Sequence, residues 1–159
     1  MNIDILCVGK IKEKYLKDAI DEYSKRLSRY CRLLIIEVED EKTIDDQAES
    51  LDLKVKETEG KRILKYMKDD AFKVCLEIEG KEITSEGLAG KINELGIRGI
   101  SRIQFIIGGS LGLADSVTNK ADLHLSFSRM TFPHQLMRVI LLEQIYRAYK
   151  INSNEPYHK

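Results

Sequence analysis

The sequence predicts an α/β fold, a largely parallel sheet with helices on both faces. Apolar runs with little alternation recur at Ile3–Val8, Leu33–Val38, Phe72–Ile78 and Arg102–Ile107, as in strands buried on two sides. Segments of helical period separate them, which favours parallel strands joined by crossover helices. With 159 residues, 43% of them hydrophobic, the chain can bury one core and has little room for a second. Residues 1–159 are therefore read as one domain.

Ile3–Val8 opens the sheet and Gly9 ends it. Glu13–Tyr30 is expected to be a helix, because Leu16, Ile20, Tyr23, Leu27 and Tyr30 alternate spacings of four and three and make one apolar stripe. After the Leu33–Val38 strand an acidic linker leads to a helix over Ala48–Met67, with lysine and glutamate on an exposed face. Phe72–Ile78 is the third strand, closed by Glu79-Gly80. Thr84-Ser85-Glu86-Gly87 caps a helix to about Leu95, which Gly96 and Gly99 end. Arg102–Ile107 is a β-branched strand followed at once by Gly108, Gly109 and Gly112, and Leu123–Ser128 is a short strand whose exit reaches Pro133. The final helix, from about Pro133, is apolar nearly all round through Leu136, Met137, Val139, Ile140, Leu141, Leu142, Ile145, Tyr146 and Tyr149. Such a helix either lies between its own sheet and the helix near Glu13 or meets a second copy, and a twofold homodimer is expected.

Composition narrows the chemistry. The chain has 26 basic and 26 acidic residues, but the signs are segregated. Glu37–Glu59 holds ten acidic residues and three lysines, whereas Met1–Ile36 and Arg102–Lys159 are each net basic. A surface with Lys10, Lys12, Arg147 and Lys150 could follow a phosphate backbone, although ordinary solvated helix faces read the same way. No apolar run approaches the roughly 20 residues of a membrane span. The opening MNIDILCVGKIK flows into a strand and does not resemble a cleaved signal, so a cytoplasmic protein is expected. Cys7, Cys31 and Cys75 are read as reduced thiols, and His124, His134 and His158 lack metal-ligand spacing, so no metal is expected.

Two strand exits, Gly108–Gly112 and Arg129–Phe132, are candidates for one pocket at the carboxyl ends of parallel strands. The glycine cluster lacks the GxGxxG order and the GK[ST] ending, so neither a dinucleotide fold nor a P-loop is supported. Alone, it is as often a tight turn as a binding loop.

The segments IGGSLGL and LSFSRMTFPHQLMRVILLEQIYRAYKI, with ILCVGKIKEKY, LEIEGK, SEGLA and the terminal EPYHK, resemble the small SPOUT-family ribosomal RNA methyltransferases. More narrowly, they resemble the bacterial members that methylate N3 of a pseudouridine in 23S ribosomal RNA. The resemblance covers the chain except the acidic stretch around Lys42–Asp52. It implies a SPOUT-type α/β-knot with a trefoil knot over about 102–150, a rare topology, and a homodimer that binds S-adenosyl-L-methionine and acts on 23S rRNA in the large subunit or whole ribosome.

Carried over residue by residue, the resemblance places cofactor contacts at Leu76, Gly108, Phe127, Ser128, Arg129, Met130, Thr131 and Phe132. Leu76, Met130 and Phe132 offer apolar surface to adenine, and loop N–H and C=O groups can read its polar edge. Leu76 and Phe132 could simply be core, and Ser128 could cap a turn; cofactor contact is the favoured reading for Gly108 and the Phe127–Phe132 loop, and stands level with core for Leu76. N3 of pseudouridine carries a proton that must be removed. The base is not identified by the sequence; His158, His134 and Glu143 are the candidates, with Glu143 also able to pair with Arg138 or Arg147. The EPYHK tail reads as mobile, and Tyr157 and His158 have the better claim to touch RNA, where tyrosine can stack on a base. Alternatives are a SPOUT enzyme acting on transfer RNA and a noncatalytic dimeric ribosome-binding protein.

Overall fold

The computed structural model describes Met1–Lys159. Its elements, in chain order, are β1 (Asn2–Val8), α1 (Lys14–Leu27), β2 (Arg32–Val38), α2 (Glu49–Leu64), β3 (Phe72–Glu82), α3 (Ser85–Ile97), β4 (Arg102–Ile107), α4 (Asp115–Thr118), β5 (Leu123–Ser126) and α5 (His134–Asn152). The five strands form one sheet in the order β2-β1-β4-β3-β5, and every neighbouring pair is parallel. All five strand exits therefore lie at one end of the sheet.

Strand pleating divides the core into two layers. Ile3, Ile5 and Cys7 of β1 and Ile103, Phe105 and Ile107 of β4 face α1, α3 and α5, where they join Leu27, Leu88, Ile92, Leu141 and Ile145. Leu6, Val8 and Ile106 face the other way, onto Ile63 of α2 and Val117 of α4. Asp4 and Gln104 share that second face, at the amino end of the sheet. They remain tolerable there because Asp4 accepts from Arg102 (2.8 and 2.9 Å) and from Gln104 Nε2 (3.0 Å). Gln104 in turn donates to Tyr66 O and accepts from Lys68 N, tying the end of α2 to the sheet.

Several expectations shift. β3 does not close at Glu79-Gly80 but continues to Glu82 after a register break between Leu76 and Lys81. Gly80 permits this: a Cβ there would lie 2.8 Å from the carbonyl carbons of His124 and Leu125, so only glycine lets β5 approach. β5 ends at Ser126 rather than Ser128. The Ser126 hydroxyl lies 2.8 Å from Ile78 O and 3.0 Å from Ser128 O, drawing the chain out of the ladder. The short α4 has no sequence signal beyond one turn. Thr84 caps α3 by accepting from Gly87 N (3.0 Å), and the helix runs to Ile97, past Leu95.

The greasy α5 packs between α1 and α3 on the sheet, so Leu141, Leu142, Ile145 and Ala148 are fully buried within one chain. Much of its apolar surface is thus covered without a partner. Leu136 stays 37% exposed near the helix start.

Candidate active site

A cavity of about 1030 Å³ opens at the carboxyl ends of β3, β4 and β5. Its size suits a cofactor-sized ligand. One wall is Gly108–Leu113, and a second is the segment from β5 to α5. The first wall folds back tightly, with a bridge between Gly109 and Gly112 and with Gly112 at φ +85. A Cβ on Gly108 would stand 2.6 Å from Gly112 C and 2.7 Å from Gly112 O, and one on Gly109 would stand 3.1 Å from Glu59 Oε1. Bare backbone is therefore required at the cavity floor. In the second wall Met130 N donates to Ser128 Oγ (3.0 Å), so Ser128 caps the turn while lining the cavity.

Of the sequence-predicted cofactor contacts, Leu76, Gly108, Phe127, Ser128, Met130, Thr131 and Phe132 line this cavity. Arg129 does not: its side chain is 95% exposed and lies 3.9 Å from Glu82. Met130 is 74% exposed and Phe132 37% exposed, apolar surface beside bare peptide groups, which is the combination an adenine ring needs. The residues present thus fit S-adenosylmethionine. Lys56 from α2 also lines the cavity. Sequence reasoning missed it because a lysine in a charge-rich helix carries no periodic signal.

His134, the first residue of α5, is half-buried and lines the cavity. Burial, and then the positive charge of Arg138 one turn on, hold its pKa below the ordinary 6.5, with Asp40 opposing. The imidazole is neutral at pH 7 and can accept a proton. Between that lowered value and 6.5 the unfolded chain binds a proton at this position that the folded chain does not. Stability must then fall as pH drops through 6.5 and recover above it. Urea midpoints at about pH 7.5 and 5.5 should differ more for the wild type than for His134→Gln; equal differences would show that His134 titrates normally.

Arg138 is 2% exposed yet charged. Its guanidinium donates to Val8 O and Gly9 O, both at 2.7 Å, and to Glu37 Oε2 at 2.7 Å. The sequence offered Arg138 to Glu143; the structure gives it to β1 and β2, because a buried arginine needs several acceptors and strand exits supply free carbonyls. Lys10 and Lys12 are exposed in the loop after β1, on either side of buried Ile11.

The other candidate groups lie apart from the cavity. Glu143 pairs with Arg147 (2.6 Å) and accepts from Tyr157 Oη (3.0 Å). His158 Nδ1 accepts from Arg147 (3.1 Å), and its Nε2 lies 2.8 Å from Glu86 Oε1. Burial, and then the hydrogen bond to Glu143, push the Tyr157 phenol up to about 12. The tail expected to be mobile is therefore docked on α3 and α5, as two acids and an arginine offer it partners. Lys150 is paired with Glu155 (2.7 Å) beside Tyr30 and Tyr146. Arg147 and Lys150 thus each have a carboxylate partner within the chain. No group of three or more His, Cys, Asp or Glu is placed to hold a metal ion, and no helix is long and apolar enough to cross a membrane.

Comparison with known proteins agrees with this geometry. Among solved structures, the fold is similar over 99% of this chain and 70% of the other to a probable methylase family protein from Haemophilus influenzae Rd KW20, with TM-score 0.55 and 13% identity. Full-length relatives are far more similar. The chain is 64% identical over 159 residues, all of both chains, to the ribosomal RNA large subunit methyltransferase H of Bifidobacterium adolescentis. It is 62% identical, again over the whole of both, to the protein of that name in Clostridium novyi. The family model described as predicted SPOUT methyltransferase matches residues 1–158. With its parallel sheet, strand-end cavity and full-length match, the chain belongs to the SPOUT methyltransferase family.

Proposed function

We propose that this protein methylates large-subunit ribosomal RNA, at N3 of a pseudouridine in 23S rRNA, with S-adenosylmethionine as methyl donor. The observation that carries the reading is identity of 62–64% over complete chains to relatives named as ribosomal RNA large subunit methyltransferases. When bound, the cofactor supplies an electrophilic methyl on a sulfonium. The residues of this chain do the rest by positioning. Leu76, Met130 and Phe132 hold the adenine, and the Gly108–Gly112 backbone lets it approach. Arg129 carries its side chain out to Glu82, so what it offers the cofactor is its backbone, between Ser128 and Met130.

His134 is favoured as the group that takes the N3 proton, since among His134, His158 and Glu143 it lines the cavity and its imidazole is neutral at pH 7. Lys10 and Lys12 are the phosphate contacts of choice, being exposed at the strand-exit end of the sheet. A homodimer through α5, with Leu136 in the contact, and a trefoil knot over 102–150 belong to the same reading, as does a cytoplasmic site of action on ribosomes. Tyr157 and His158, docked on their own protomer, present their remaining surface to RNA.

The test is to incubate ribosomes, free subunits, naked 23S rRNA and transfer RNA with methyl-labelled cofactor and to map the modified nucleotide. Label at one 23S pseudouridine N3 is expected. Label in transfer RNA alone, or no cofactor binding by calorimetry at millimolar concentration, would sink the proposal.

A further inference from the structure

The carboxylate of Glu37, on edge strand β2, is shared by two parts of the molecule that the chain keeps far apart. Its Oε2 accepts from Arg138 Nη1 on α5 (2.7 Å) and from Ile11 N, in the loop after β1 (3.0 Å). The second amino group of Arg138 donates to Val8 O and Gly9 O, the last carbonyls before that same loop. Gly9 adopts φ +85, and its amide donates to Val38 O (2.7 Å), so the loop leaves β1 at a fixed angle. On the other side, Met137 and His134, one and four residues before Arg138, line the cavity. One buried guanidinium and one carboxylate therefore stand between the Lys10–Lys12 loop and the cavity wall.

Lysine stems are flexible, so two exposed lysines fix an RNA phosphate only if their backbone is held. Neither Glu37 nor Arg138 lines the cavity, and both already have protein partners. Their geometry suits holding rather than touching a substrate.

We propose that Glu37 and Arg138 are positioning residues that register the Lys10–Lys12 loop against the cofactor cavity, fixing the distance between a phosphate of the RNA and the site of methyl transfer. This rests on the function proposed above, in that the loop meets RNA and the cavity holds the methyl donor. The register sets substrate recognition, not cofactor affinity.

The experiment compares wild type, Glu37→Gln and Lys10→Ala/Lys12→Ala on ribosomes across a salt series, with cofactor affinity measured in parallel by calorimetry. Glu37→Gln is expected to raise KM for ribosomes about tenfold and to leave cofactor Kd within about twofold. It should also lower the slope of log affinity against log salt by about 0.7 to 0.9 for each phosphate that the protein no longer neutralises. The double lysine variant should show the same reduction in slope. If the lysine variant weakens ribosome binding while Glu37→Gln keeps the wild-type slope and KM, the loop binds RNA without needing the register, and this proposal alone is overturned. If the lysine variant binds ribosomes normally, the assignment of the loop to RNA has failed and the proposal falls with it. Equal losses of kcat and cofactor affinity in Glu37→Gln, with KM unchanged, would assign the pair a purely structural role and overturn it as well. Should Glu37→Gln not fold, amide exchange in the wild-type protein decides: Ile11 N–H should exchange far more slowly than Lys10 and Lys12, and a rate equal to theirs overturns the proposal.

Discussion

Gly108→Arg is expected to abolish S-adenosylmethionine binding, and Gly108→Ala to weaken it by roughly tenfold to a hundredfold, the range that about 1–3 kcal/mol of overpacking produces. The smallest side chain already suffices, because a Cβ would stand 2.6 Å from a backbone carbon of Gly112. Backbone cannot rotate aside as a side-chain tip can. Gly112, moreover, is held at φ +85, a conformation few other residues adopt, so the loop has little freedom to reopen. Gly90→Ala on α3 is the control: its Cβ would meet nothing within 4 Å, and it should stabilise the helix by about 0.5–1 kcal/mol. Calorimetry with the cofactor, beside thermal unfolding of each variant, reads both. A Gly108→Ala protein that binds the cofactor normally would show that the Gly108–Gly112 loop is not a wall of the site.

Arg138→Met should cost about 3–5 kcal/mol of stability, the usual consequence of removing one member of a buried, hydrogen-bonded charge pair. Methionine fills much of the volume but leaves Val8 O and Gly9 O without their donor and Glu37 without its counter-charge. For a domain of this size the unfolding midpoint should fall by roughly 10 °C. Glu37→Gln should cost less than half as much. Its side chain is 34% exposed, so solvent screens what the pairing contributes. Urea denaturation of the two variants tests the ordering. An Arg138→Met protein within about 1 kcal/mol of wild type would show that Arg138 does not hold the strand exits together.

Local pattern carried most of the element boundaries. Strands such as Ile103–Ile107 announce themselves because both faces are buried and alternation disappears. The α1 stripe of Leu16, Ile20, Tyr23 and Leu27 is legible because one face of that helix meets the sheet. Where β3 and β5 departed from their expected ends, a neighbour remote in sequence was responsible. β3 runs on through Gly80 because β5 packs on its backbone, and that neighbour lies more than forty residues away. The docked tail was illegible for the same reason: EPYHK is short and polar, and only the folded chain brings Glu86, Glu143 and Arg147 to it.

The candidate site divides along the same line. Its two walls are each contiguous in sequence, so the glycine cluster and the SFSRMTFPH segment could be named as pocket residues from the chain alone, and the full-length resemblance supplied the family. Lys56 could not be, nor the bonding of Arg138 to Val8, Gly9 and Glu37, because each depends on elements brought together only by the sheet order β2-β1-β4-β3-β5. Burial periodicity and backbone permissiveness are local properties, and so the parallel α/β architecture and the two loops of the cavity are written in the chain itself. Which charges are free to meet RNA and which are spent inside the protein is settled only on folding. The partner that neutralises a charge need only be near in space, and for Arg138 it lies about a hundred residues away along the chain.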